Sequence, residues 1–334
     1  MSGHVELAAS EHVGAPAGVS EPAAPPGRIC PLHYLYSPRD LVSAPELPCE
    51  IAYVVGGLYG NRFALDAVEV LAAREAGPVT IVFNGDFHWF DREPSLFRAI
   101  TQRVLAHRAT RGNVETELAA SDDTAGCGCA YPDEVCDADV ERSNSIEHSL
   151  RGVARAFPDL VAAMAGLPMY RVLRIGDARI GVVHGDAQSL AGWGFSRAAM
   201  ATAHGKQRAA DWLAAAQVQV FACTHTCQAL YTRLDTVFGA GIIINNGAAG
   251  MPAFSDSRHG VITRIATRAP PPTVTPLYGG VVAGAHVDAL ALHYEHAAWW
   301  REFRRLWPRG SAADLSYAAR IRAGGHLPIA QAVL

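Results

Sequence analysis

The stretch Val79-Thr80-Ile81-Val82-Phe83-Asn84-Gly85-Asp86 decides how this chain folds. Five β-forming residues run into a Gly-Asp turn, the pattern of a buried strand that delivers a polar loop. A helix is expected after it, from about Pro94 to His107. The unit upstream has the same form: the apolar run Ile51 to Val55 ends at Gly56-Gly57, and Phe63, Ala67, Val68 and Leu71 then recur at helical spacing towards Gly77. Strand, loop and helix repeated in this order indicate an α/β chain whose polar loops gather at the C-terminal ends of neighbouring strands. The second half is richer in strands. Met169–Ile175 and Arg179–Val183 flank a Gly176-Asp177-Ala178 turn, Val218–Cys223 and Gly241–Ile244 follow, and a helix from about Phe195 to Ala216 separates Arg179–Val183 from Val218–Cys223.

Composition narrows the possibilities. A chain of 334 residues with 50% apolar residues can bury one large core. Its net charge of −4 and single lysine, Lys206, offer no basic field to a nucleic-acid backbone or an anionic membrane. No window reaches the roughly 20 apolar residues that span a bilayer, and the first residues lack a basic stretch followed by an apolar core. A cytoplasmic, soluble protein is expected. Seven cysteines in so long a chain are expected as thiols. Residues 1–28, rich in Ala, Gly, Pro, Ser and Glu, read as a disordered tail, with residues 29–285 as the principal domain and 286–334 as a helical extension.

Five strand-end loops carry the chemistry: Gly57-Leu58-Tyr59-Gly60-Asn61, Gly85-Asp86, Arg111-Gly112-Asn113-Val114-Glu115, His184-Gly185-Asp186 and Ala222-Cys223-Thr224-His225, followed by Asn246-Gly247-Ala248-Ala249-Gly250. Each alone is ordinary turn chemistry. In this order, over about residues 50 to 265, they resemble the calcineurin-like metallophosphoesterases, whose blocks read Asp-x-His, Gly-Asp, Gly-Asn-His-Asp/Glu, His-Gly and Gly-His-x-His. The resemblance implies a two-layered β-sandwich flanked by helices, with metal loops along one edge. It also implies hydrolysis of a phosphomonoester, phosphodiester or phosphoanhydride by water activated at a divalent metal.

Carried over residue by residue, the resemblance makes Asp86, Asn113, His184 and His225 the candidate catalytic and metal-binding residues, with Cys223 standing where the family has a histidine. A thiolate there favours zinc or another borderline-soft metal; zinc, manganese or iron is expected, as one or two ions. Gly57 and Tyr59 replace the first-block Asp and His, so one of the family's two metal positions keeps only Asp86 and His225. His88 is a candidate to restore it, if the loop stays extended; a supporting or structural role is the favoured alternative. Val114 replaces the histidine that protonates the leaving oxygen, so poor leaving groups should be hard to expel. Arg92 and Arg111 are candidates to hold phosphate oxygens.

Other groups lie outside the blocks. Gly126-Cys127-Gly128-Cys129 lacks zinc-finger spacing and fits buried thiols or a role beside the metal. Asp186 suits a local capping role. Trp300, Phe303 and Trp307 form an aromatic stripe on a terminal helix, and Ser311 with Asp314 resembles a capping box. The expected function is a metal-dependent phosphoesterase acting on a small phosphorylated substrate or phosphodiester, with no nucleic acid or membrane and a possible homo-oligomer. The alternatives are a non-catalytic binding or scaffold module of the same fold, as in the retromer scaffold subunit, and a thiol or metal sensor built on Cys127, Cys129 and Cys223.

Overall fold

The computed structural model of the chain describes residues 24–334. Two six-stranded sheets pack face to face. One runs, edge to edge, Glu46–Pro48, Tyr170–Ile175, Ala178–Val183, Val220–Cys223, Gly239–Asn245, Leu230–Thr236; the other runs Tyr278–Val282, Ala285–Leu292, Gly260–Ala266, Ile51–Val55, Val79–Asn84, Arg108–Thr110. Strand alternation sorts the side chains into layers. Ala52, Val54 and Val82 of one sheet meet Ile180, Val182, Val220, Ala222, Ile242 and Ile244 of the other in the sandwich interior. The opposite phase, with Tyr53, Val55, Ile81 and Phe83, packs under helices Arg62–Ala72, Pro94–Leu105 and His296–Leu306. On the other outer face Val172, Phe221, Cys223 and Ile243 pack with residues of helix Ala203–Ala216. The architecture is helices, sheet, sheet, helices, as expected.

Three neighbouring strands, Ile51–Val55, Val79–Asn84 and Arg108–Thr110, are parallel, as are Ala178–Val183, Val220–Cys223 and Gly239–Asn245. Their C-terminal ends open on the same edge of the sandwich, so the polar loops converge there.

Several boundaries differ from the sequence expectation. The helix expected over Phe195–Ala216 breaks at Ala201-Thr202, because the Thr202 hydroxyl accepts the Gly205 N–H (2.9 Å) and starts a new helix. Residues 286–292 belong to the edge-side strand Ala285–Leu292, so the helical extension starts at His296. On that helix Trp299, not Trp300, joins Phe303 in the core. Asp314 accepts the Gly310 N–H at 2.8 Å, whereas the Ser311 hydroxyl has no partner, so the capping box does not close. Arg28, placed in the expected tail, is anchored instead, its guanidinium donating to the carbonyls of Pro132 (2.8 Å) and Val135 (2.6 Å); residues 1–23 lie outside the described residues. Among the described residues no helix is long and apolar enough to cross a membrane.

Candidate metal centre

Asp86, His184 and His225 present ligand atoms that all lie within 4.8 Å of one another, each residue buried. The loops explain the convergence. Gly85 (φ +73°) and Asp86 (φ +52°) both adopt left-handed backbone, which ends the strand abruptly and turns the carboxylate across the sheet edge. His184 directly follows Val183, His225 lies two residues beyond Cys223, and Asn113 opens the short helix Asn113–Leu118.

Hydrogen bonds fix which atom of each side chain faces the centre. The His184 Nδ1–H donates to the Asn84 carbonyl (2.8 Å), leaving the Nε2 lone pair pointing inwards. The His225 Nε2–H donates to the Cys129 carbonyl (3.0 Å), so its Nδ1 lone pair points inwards as well. Asn113 Nδ2 donates to the Cys127 carbonyl (2.9 Å), which turns Oδ1 to the centre. Four acceptors therefore meet: His184 Nε2 lies 3.3 Å from His225 Nδ1, 3.1 Å from Asn113 Oδ1 and 3.4 Å from Asp86 Oδ1. The ring N–H of each histidine and one Nδ2–H of Asn113 are spent on backbone carbonyls. A cation satisfies such a cage. Burial opposes charge on His184, but the charge and hydrogen bond of Asp86, the Asn84 carbonyl and Glu115 together raise its pKa. Burial, followed by the proximity of His184, depresses His225 to about 4, so it stays neutral with a free lone pair. Burial pushes the Asp86 carboxyl up, yet His184, His225 and the Val114 N–H bring it below the usual range. Two imidazoles, a carboxylate and an amide oxygen fit zinc, manganese or iron.

The remaining candidates lie elsewhere. Cys223 alternates with Ala222 along its strand and so points to the outer apolar layer, where its thiol donates to the Ile244 carbonyl (3.6 Å). It is not a ligand of this cluster. His88 is fully buried, stacked on Phe97 with ring centroids 4.1 Å apart and held by Asp91 (2.6 Å) and Thr101 (2.9 Å). The turn at Asp86 breaks the extended backbone that would have given His88 the same facing. Arg92 lies over the Trp307 ring, 4.5 Å from its centroid, and Arg111 donates to the Ala165 carbonyl (2.7 Å); neither lines the metal cavity. Asp186 caps its own loop, accepting from the N–H groups of Gln188, Ser189 and Gly194. Cys127 and Cys129, expected as thiols, are joined as a disulfide, because left-handed Gly126 and Gly128 fold the segment back on itself.

Beside Gly57 the room is taken. A Cβ built on Gly57 would lie 2.8 Å from Tyr59 Cε2, and the Tyr59 hydroxyl is 2.7 Å from Cys227 Sγ. The phenol thus fills the side of the cluster where the resemblance places the first-block ligands.

A cavity of about 150 Å³ opens over Asp86, Asn113 and His225, walled by Tyr59, Trp89, Tyr131, Trp193 and Tyr317. Sequence reasoning missed these walls, which come from segments far apart in the chain and share no motif. It also missed Glu115, a buried carboxylate that accepts the N–H groups of Asp86 (2.9 Å), Phe87 (3.0 Å) and Gly112 (2.8 Å). An acid three residues after Gly112, at a helix start, was its available signal.

No protein-family model matches this sequence. No curated protein matches it either. Solved structures do. A metallophosphoesterase from Sphaerobacter thermophilus is similar over 82% of this chain and 100% of its own, at 18% identity and a TM-score of 0.51. The hypothetical protein PH1004 from Pyrococcus horikoshii OT3 is similar over 83% of this chain and 99% of its own, at 16% identity and a TM-score of 0.52. With two sheets between helical layers and polar loops on one edge, the chain shares the fold of that metallophosphoesterase.

Proposed function

We propose that the protein is a metal-dependent phosphodiesterase with a single-cation centre. The observation that carries this is the cage of four inward acceptors, Asp86 Oδ1, Asn113 Oδ1, His184 Nε2 and His225 Nδ1, with every side-chain N–H committed to a carbonyl or to the outside. A divalent cation, when bound, supplies Lewis acidity towards a phosphoryl oxygen and makes water more acidic. The chain's own residues set what can react. Asp86 and a divalent cation together leave one positive charge, and no lysine or arginine lines the cavity. That balance suits a singly charged diester better than a doubly charged monoester. Val114, buried beside Asp86, has no proton to give, which favours a leaving oxygen that departs as a stabilised anion. The aromatic walls exclude water and accommodate an apolar or planar ester group.

The test is hydrolysis of bis-p-nitrophenyl phosphate against p-nitrophenyl phosphate with manganese, zinc, iron and cobalt. The diester should be favoured, and Asp86→Asn or His184→Ala should remove activity. Turnover that persists in both variants, or none with any metal, refutes the proposal; the latter favours a binding module, a role with which the missing proton donor at Val114 is compatible.

A further inference from the structure

A second cavity, of about 270 Å³, adjoins the metal cavity, and Cys227 lines both. The helix Ala312–Ala323 connects them as well: Tyr317 walls the metal cavity, while Arg320, three residues on and so about 5–6 Å away on the same helix face, lines the second. The chain from His225 to Gln228 passes from one to the other in three Cα–Cα steps, at most about 11 Å. No lysine or arginine lines the first cavity. The second gathers Arg197, Arg320 and His326 from three separate segments, with no acidic residue among its described lining. Arg320 donates from Nε to the Pro252 carbonyl (2.8 Å) and from Nη2 to the Cys227 carbonyl (3.0 Å), which braces the guanidinium and leaves Nη1 to spare. Arg197 donates from Nη1 to the Gln331 carbonyl (2.7 Å), leaving Nε and Nη2. Among the described residues both guanidiniums, each partly buried, bond carbonyls, and neither pairs with a carboxylate. Charges withdrawn from water are ordinarily paired, so two such cations facing one cavity call for an anion.

We infer that this second cavity binds a phosphate group, and that the group belongs to the same ligand whose ester lies over the metal centre. The link between the cavities rests on the phosphodiesterase reading; the anion site itself does not. Guanidinium groups with spare N–H donors match phosphoryl oxygens in both charge and geometry. At the metal centre Asp86 and a divalent cation leave one positive charge, which a diester already balances. A further phosphate on the ligand finds no counter-charge there, and Arg197 and Arg320 supply one next door. The substrate class is therefore a phosphodiester that carries a second phosphate beyond the reacting one. Gln228, exposed at the same cavity, gives a place from which to disturb the anion without touching the core.

Calorimetric titration of the full chain tests both parts. Chelator-treated protein should bind inorganic phosphate, and Arg197→Gln and Gln228→Glu should each weaken that binding at least about tenfold, the first by removing a cation and the second by adding a carboxylate. An unchanged thermal midpoint in Gln228→Glu checks that it folds. With manganese present, thymidine 3′,5′-bisphosphate should bind at least about tenfold more tightly than thymidine 5′-phosphate, a pair that differs by one phosphate, and Gln228→Glu should erase the difference. No phosphate binding by the parent protein, or equal binding by both variants, overturns the anion site. Equal affinities of the parent for the two nucleotides overturn the link to the metal centre. Failure of the phosphodiesterase reading shows separately, as missing diester hydrolysis, which none of these titrations measures.

Discussion

The backbone N–H of Asp86 donates to Glu115 Oε2 over 2.9 Å, although 29 residues separate them. The same oxygen accepts the Gly112 N–H, and Oε1 accepts the Phe87 N–H. One buried carboxylate thereby ties the turn that carries Asp86 to the turn that carries Asn113. Burial, and then the nearby Asp86 charge, raise the Glu115 pKa, against which these N–H groups act.

Glu115→Gln tests that tie. An amide has one acceptor oxygen where the carboxylate uses two, so at least one buried N–H loses its partner, at a cost of about 1–3 kcal/mol. Denaturant unfolding should show the loss, and isothermal titration should show weaker zinc binding. A stability change under about 0.5 kcal/mol would mean that the loops hold without it.

Gly112→Ala probes the cage by crowding it. The new Cβ would sit 2.7 Å from His184 Cε1 and inside van der Waals contact of Asp86 Oδ1. Gly112 has an extended backbone (φ −101°), so the effect is steric and local. Overpacking of this kind costs about 1–3 kcal/mol. Metal content after dialysis should fall well below that of the parent protein, with circular dichroism unchanged; full metal occupancy would contradict the described geometry.

Metal removal should be visible as stability. A cation that binds only the folded state adds about 2.7 kcal/mol at a free concentration a hundred times its Kd. Zinc should raise the thermal midpoint of chelator-treated protein, and Asp86→Asn should eliminate the rise. An equal rise in that variant would place the cation elsewhere.

Glu147 gives a pH signature unrelated to the metal. Burial lifts its carboxyl from 4.5 to about 7, against the pull of the Arg151 guanidinium that donates to it at 3.0 Å. The folded state therefore holds the proton more tightly than the unfolded one. Its contribution is largest below the ordinary pKa and is lost as pH rises through about 7, at up to about 1.4 kcal/mol per pH unit. Glu147→Gln should flatten the decline in thermal midpoint between about pH 5 and pH 8. An unchanged slope would show that Glu147 is not its source.

The α/β layering was legible in strand runs such as Ile51–Val55 and Val79–Asn84, which are rich in β-branched residues and lead into glycine, and the resemblance implied the sandwich. Asp86, Asn113, His184 and His225 were reached through the resemblance, whose blocks fall where each residue directly follows or closely trails a strand. Cys223 was misjudged because family correspondence ignored the strand's own alternation, which turns that side chain outwards. For His88 the favoured structural role holds, and the ligand option fails because residue 86 is left-handed, a turn with no signature in an Asp-Phe-His string. The two arginines and the aromatic walls depend on tertiary approach: Arg92 meets Trp307, and Tyr317 reaches the cavity from helix Ala312–Ala323.

Tyr59 occupies the space that a side chain at Gly57 would need. Placing a metal-binding side chain at 57 would therefore demand paired substitutions: a carboxylate introduced at 57 collides with the phenol, and a smaller residue at 59 alone leaves a hole beside Cys227. Each single step is disfavoured, so positions 57 and 59 are coupled and can change only together.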